Sequence, residues 1–150
     1  MSSHEKTAWW SLAAAVLIWS FLLMRFTEDW QIVDLSPSLV LSTYIQMIVL
    51  WIIATAVPAA VSAWRATEPE RDERDLAIEA LGDRWEGWVV VIAVNVLVVH
   101  LLANAYYADR TPSMPRLDLG SMPALVFALL TVLFLADAVK QAVVVWQYRR

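Results

Sequence analysis

Asp137 and Lys140 stand three residues apart inside an apolar run near the C-terminus. An ionisable side chain within a membrane span is expensive and marks either a structural partner or a functional site. On a helix the i,i+3 spacing lets the two side chains face and neutralise each other. The first expectation is therefore an ion pair that turns this helix toward the bundle interior. The alternatives are a relay for protons or ions and a contact between copies. Residues 123–136 before the pair would span about 21 Å as helix. That depth places the pair in the half of the bilayer nearer the C-terminus.

A second polar group lies in two other apolar runs. Asn95, His100 and Asn104 share one run, and Ser42, Thr43 and Gln46 sit at nearly the same depth in another. His100 and Asn104 fall on one helix face at i,i+4, whereas Asn95 lies off it. Amides and an imidazole in this setting are expected to bond to one another across helices. Quinone or lipid binding beside His100 is the functional alternative.

Most other chemistries are removed by what the chain lacks. A haem held by two histidines would need a second imidazole in the membrane, and the other histidine, His4, is in the N-terminal tail. The available ligands do not make a metal site. With no cysteine, thiolate catalysis, iron–sulfur ligation and disulfide exchange drop out together. Three glycines leave no phosphate-cradling loop. No Ser/His/Asp set assembles, because Asp137 and His100 belong to opposite leaflets. No cofactor, no metal and no enzymatic activity are expected.

The elements that hold these residues follow from hydropathy. Of 150 residues 60% are hydrophobic and 17% charged, with a mean hydropathy of +0.57. A soluble domain is closer to half apolar and about one quarter charged. The excess is gathered into four runs, 8–26, 39–64, 88–107 and 123–146, each near the roughly 20 residues that a spanning helix needs. Backbone groups in lipid must be satisfied internally, and the runs lack the alternation of a barrel strand. The expected fold is all-α: one membrane domain over 1–150, a four-helix bundle with an amphipathic cytoplasmic helix between spans two and three. The first run is too long for the core of a cleavable signal and is read as a retained span.

Four spans put both termini and the loop 65–87 on one side. That side carries Lys6, Arg65, Arg71, Arg74, Arg84, Arg149 and Arg150, against Arg25, Arg110 and Arg116 opposite. Basic residues collect on the cytoplasmic side, so both termini are expected there. Trp9, Trp10, Trp64, Trp85, Trp88, Trp146 and Tyr148 mark one interface, and Trp30, Tyr106 and Tyr107 the other. Trp19 and Trp51 lie deeper and are expected to pack. The net charge of −4 resides mostly in the cytoplasmic loop, and gives no reason to expect nucleic acid as a partner.

Within that loop Thr67-Glu68-Pro69-Glu70 has the pattern of a helix start. Glu70–Arg74 and Arg71–Asp75 are i,i+4 opposite-charge pairs. Ile78, Leu81 and Trp85 form an apolar stripe. The spacing predicts a helix over 68–81 lying along the membrane surface or under the bundle, with a bend at Gly82 and Gly87 into the third span. Asp72, Glu73, Arg74, Asp75, Ile78 and Leu81 then form a candidate partner surface. The alternative is a solvated connector. Ala56/Ala60 and Ala59/Ala63 on span two offer small-residue faces for close helix approach, within the chain or in a homodimer.

The run 70–79, Glu-Arg-Asp-Glu-Arg-Asp-Leu-Ala-Ile-Glu, followed by Arg84, Gly87 and a third span, resembles a family of small four-helix prokaryotic membrane proteins of unknown function. Its members carry an Asp-Glu-Arg-Asp loop before the third helix, with an isoleucine in the place of Ile78. A Tyr-Arg-Arg ending is matched by Tyr148, Arg149 and Arg150. The resemblance implies the four-span layout and the inner membrane of a prokaryote, and supplies no activity. Small four-span drug exporters are similar in size but depend on a buried carboxylate in the first helix, and spans one to three here have none. The function expected is that of an accessory or regulatory membrane protein, acting through protein contacts of its cytoplasmic loop. Its partners would be lipids, a second copy, or another membrane or cytoplasmic protein. The alternative is a small transporter or a ligand- or lipid-binding protein using Asp137 and Lys140.

Overall fold

Each apolar run forms a helix in the computed structural model, which describes residues 3–29, 31–64, 72–107 and 119–150. The helices are α1 (Ser3–Phe26), α2 (Pro37–Trp64), α3 (Glu73–Tyr107) and α4 (Met122–Tyr148). All four are long and apolar enough to cross a bilayer, and they pack into an all-α four-helix bundle. Between α1 and α2 a short antiparallel hairpin pairs β1 (Thr27–Glu28) with β2 (Gln31–Ile32), Thr27 opposite Ile32. Its turn passes through Asp29 at φ 49°, a left-handed conformation that aspartate tolerates better than most residues. Hydropathy treats this stretch only as a loop, since two-residue strands are too short for any periodic signal.

The bundle is built around α4, which packs along α1 on one side and α3 on the other, while α2 docks mainly on α1. Ser121 caps α4 by accepting from the Ala124 N–H, with Pro123 in the first turn. Leu22 and Phe26 of α1 are fully buried, packed with Ile18, with Val40 and Met47 of α2, and with Leu130 of α4. The Phe26 and Phe127 rings lie 5.8 Å apart. Trp19 joins this cluster and donates its indole N–H to Thr131 at 3.3 Å, which ties α1 to α4.

The third helix departs from expectation. The stretch from Glu73 is helical as the charge spacing predicts, but it runs on unbroken through Gly82 and Gly87 to Tyr107. At 1.5 Å per residue this helix is about 50 Å long, well beyond the roughly 30 Å hydrocarbon layer. The expected separate helix with a bend at the glycines is therefore corrected to one unbroken helix. Gly82 serves a different need. A Cβ there would stand 2.9 Å from Val144 Cγ2 and 3.2 Å from Lys140 Cγ, so its missing side chain lets α3 and α4 touch. The expected start at 67–70, the partners Glu70 and Arg71, Trp30, Arg110 and Arg116 lie outside the described residues.

Pro58 sits inside α2. A proline has no N–H to offer the carbonyl four residues earlier, which here is Ala54. The indole N–H of Trp10 on α1 takes that place, 2.9 Å from Ala54 O. In a bilayer an unmet carbonyl costs several kcal/mol, roughly, so a neighbouring helix repairs what the proline leaves open. Ala56 and Ala60 of α2 are exposed; the Ala59/Ala63 face lies outside the described side chains.

Candidate functional site

The two charges of α4 do not form an ion pair with each other. Lys140 Nζ reaches across to α3, 2.6 Å from Asp83 and 3.1 Å from Glu86. Asp137 instead accepts a hydrogen bond at 3.2 Å from Gln141, one turn on along its own helix. The expected Asp137–Lys140 ion pair is thus corrected. The physical reason is that α4 is flanked on both sides. A three-residue step separates the two side chains by about 60°, so Lys140 leans toward α3 and Asp137 toward α1 and α2. Asp83 and Glu86 also sit where a longer α3 carries carboxylates down to the level of Lys140.

Asp137 opens onto a cavity of about 180 Å³ between α1, α2 and α4. Ser11 of α1, Thr55 of α2 and Gln141 add polar groups to its wall, and Trp51 adds an aromatic one. Trp51 is 47% exposed and is a lining residue, not the core residue its depth suggests. Ala14 and Ala54 also border a second, apolar space of about 350 Å³. Leu17, Ile18 and Phe21 of α1 and Leu50 and Ile53 of α2 enclose it. A polar chamber and an apolar groove therefore adjoin. The small side chains of Ala14 and Ala54 leave the space between them.

Lys140 lines the same chamber with its stem while its ammonium is held by α3. Around this turn of α4 stand three carboxylates, Asp83, Glu86 and Asp137, and one ammonium. The chamber wall itself carries one carboxylate, Asp137, and one basic residue, Lys140. An aromatic face beside a carboxylate is a suitable environment for an ammonium group, through the cation–π attraction.

Other polar ties close the terminus-bearing end of the bundle. Tyr148 donates to Asp75 at 2.7 Å. Arg149 lies 3.6 Å from Glu5 and stacks over the Trp9 ring at 5.1 Å. Ile78 is buried against Ala8, Val144 and Val145. The candidate partner surface is accordingly divided. Ile78 and Asp75 are consumed within the chain and Leu81 is half-buried, while Asp72, Glu73 and Arg74 are exposed. Of the apolar stripe, Ile78 packs on α4 and α1, while Trp85 is 50% exposed.

The second polar group also divides. Asn104 and His100, on one face of α3, bond to each other within that helix, Nδ2 to Nε2 at 3.1 Å, in place of the expected bonds across helices. Gln46 is exposed on α2 and makes no hydrogen bond among the described residues. Among the described residues no hydrogen bond joins His100 or Asn104 to Ser42, Thr43 or Gln46, since α3 packs on α4 and α2 on α1. Thr43 is buried. Asn95 points away from α4 and donates one amide hydrogen to Val91 O, 2.7 Å away on its own helix.

Ser11, Thr55 and the Trp10–Ala54 bond were not legible from charge. A proline four residues after Ala54 was the one available signal, since it announces a free carbonyl in α2. Among the described residues no group of three or more His, Asp or Glu side chains is placed to hold a metal. The chain matches no family model, no curated protein and no solved structure.

Proposed function

We propose that this chain is a small polytopic protein of a prokaryotic inner membrane, with both termini cytoplasmic, that binds amphipathic cations at Asp137. The observation that carries this reading is the carboxylate itself. Asp137 lines a chamber that it shares with Lys140, whose ammonium is paired with the Asp83 and Glu86 carboxylates of α3. The ligand class follows from the walls. A small ammonium head fits against Asp137 and Trp51, and an alkyl tail fits the apolar groove that shares Ala14 and Ala54 with the chamber. Such a ligand reaches the site sideways from the bilayer, where its tail already resides. The orientation rests on the basic-residue count of seven against three.

The test is thermal unfolding in a neutral detergent with a single-chain alkylammonium ion and with an alkyl sulfate of equal chain length. The cation should raise the melting temperature and the sulfate should not. In Asp137→Asn the cation effect should vanish. A shift that survives this substitution would place the cation elsewhere and end the proposal.

A second reading is favoured by one feature, the exposed charges Asp72, Glu73 and Arg74 at the start of α3. They suit an accessory role, in which this end of the helix meets a cytoplasmic protein. Reversing Glu73 and Arg74 together should then abolish co-purification of that partner while leaving cation binding intact.

A further inference from the structure

We propose that two copies of this chain associate through the outer face of α3, with Asn95 of one copy bonded to Asn95 of the other at the same depth in the membrane.

The face that α3 turns to α4 carries Ile78, Gly82, Glu86 and Leu97. At about 100° per residue, Asn95 lies roughly 180° around the helix from Glu86 and 160° from Leu97. It stands on the side of α3 away from α4. Trp88, Val91, Asn95, Val98 and Leu102 follow each other at steps of three, four, three and four. That is the a/d seam of a coiled coil, with asparagine at an a position. Every member is exposed, Leu102 to 66% and Trp88 to 58%.

The depth of Asn95 decides the partner. It lies about 10 Å along the helix from Trp88 and about 17 Å from Tyr106, inside the hydrocarbon layer. Its one internal bond, to Val91 O, leaves a second amide hydrogen and the amide oxygen facing lipid. Lipid tails offer neither donor nor acceptor, so a protein surface is needed. A second copy supplies it by symmetry. All copies insert in one orientation, so a two-fold axis must lie along the membrane normal, and α3 meets α3 in parallel. Parallel packing sets equal depths side by side, and Asn95 meets Asn95. The charge complementarity is that of partial charges: the amide hydrogen of each side chain faces the amide oxygen of the other. Valine and leucine above and below interdigitate as knobs and holes. One asparagine at an a position is a known means of fixing register and strand number.

The absence of cysteine from the chain makes oxidative cross-linking a direct test in membranes. Val98→Cys and Val91→Cys should each form a disulfide-linked dimer. Val96→Cys is the control, because Val96 is 61% exposed but lies off the seam by about 80–160°. It should remain monomeric. Adding Asn95→Leu to Val98→Cys should weaken association about tenfold, or ~1.4 kcal/mol, and Asn95→Gln should retain most of it. Neither change touches α4, so monomer stability serves as the folding control and should stay as it is. Equal cross-linking at Val96 and Val98 overturns the proposal. So does full association of the Asn95→Leu variant, or cross-linking through Ala56→Cys on α2 with none along α3.

Discussion

The two ends of α4 are held by different physics. Near the hairpin, α4 is packed: Leu22 and Phe26 are fully buried beside Leu130, and the tie between α1 and α4 adds only one indole–hydroxyl bond. Toward the termini, α4 is wired: Lys140 to Asp83 and Glu86, Tyr148 to Asp75, Arg149 to Glu5. The chamber lined by Asp137 and Lys140 lies on this second side. Close packing leaves no room for a ligand, and it rejects polar groups. Directional bonds tolerate gaps between them, so the end held by bonds is where a cavity and a spare carboxylate coexist.

The contrast is broken most strongly at Leu22. Leu22→Ala should destabilise the protein by about 2–5 kcal/mol, the usual range for emptying a packed site, with thermal unfolding in detergent as the measure. The chamber's affinity for a cation should survive in the fraction that remains folded. If affinity falls as much as stability does, the two ends are not separate.

Gly82 tests the other end by steric means. Gly82→Ala should cost about 1–3 kcal/mol through overpacking against Val144, and adding Val144→Ala should recover most of it. No recovery would mean that α3 and α4 are held apart by something else.

Lys140 and Asp137 sharpen the wiring. Lys140→Met should lower stability by about 1 kcal/mol, since the side chain of Asp83 is 61% exposed and solvent weakens that bridge. Asp137→Asn should change stability less. The double mutant should equal the sum of the singles within about 0.5 kcal/mol. A larger coupling would restore the direct pair between the two.

The smallest effect concerns the repaired carbonyl. Trp10→Phe should cost about 1 kcal/mol by freeing Ala54 O. In a Pro58→Ala background that cost should shrink, because alanine gives Ala54 a donor within α2. The double-mutant cycle in thermal unfolding measures the difference.

Which of this was readable from the residues depends on how local each cause is. The four spans were, because twenty apolar residues in a row report on their own environment. The shared face of His100 and Asn104 was, because i and i+4 meet on any helix, but their bond within that helix stands in place of the expected bonds across helices. The partner of Lys140 was not. A charge three residues away and one on another helix are equally compatible with the spacing, and only the order in which helices lie side by side selects between them. The bend at Gly82 failed for a related reason. Glycine permits a bend and also permits contact between helices, and the second use depends on Val144, sixty-two positions further on. The chamber needed three helices at once.

The wiring of Lys140 also bears on how the protein is made. Chains emerge from their N-terminus, so Asp83 and Glu86 are synthesised before the lysine that they hold. Taken alone, α4 must enter a bilayer with an aspartate and a lysine in its sequence, each worth about 2.5–3.5 kcal/mol against insertion at a helix centre. With α3 already in place, the lysine finds two carboxylates waiting at its own depth. The last two helices thus form a hairpin whose first arm prepares the lipid-facing passage of the second. Biogenesis and the final fold then depend on the same three side chains.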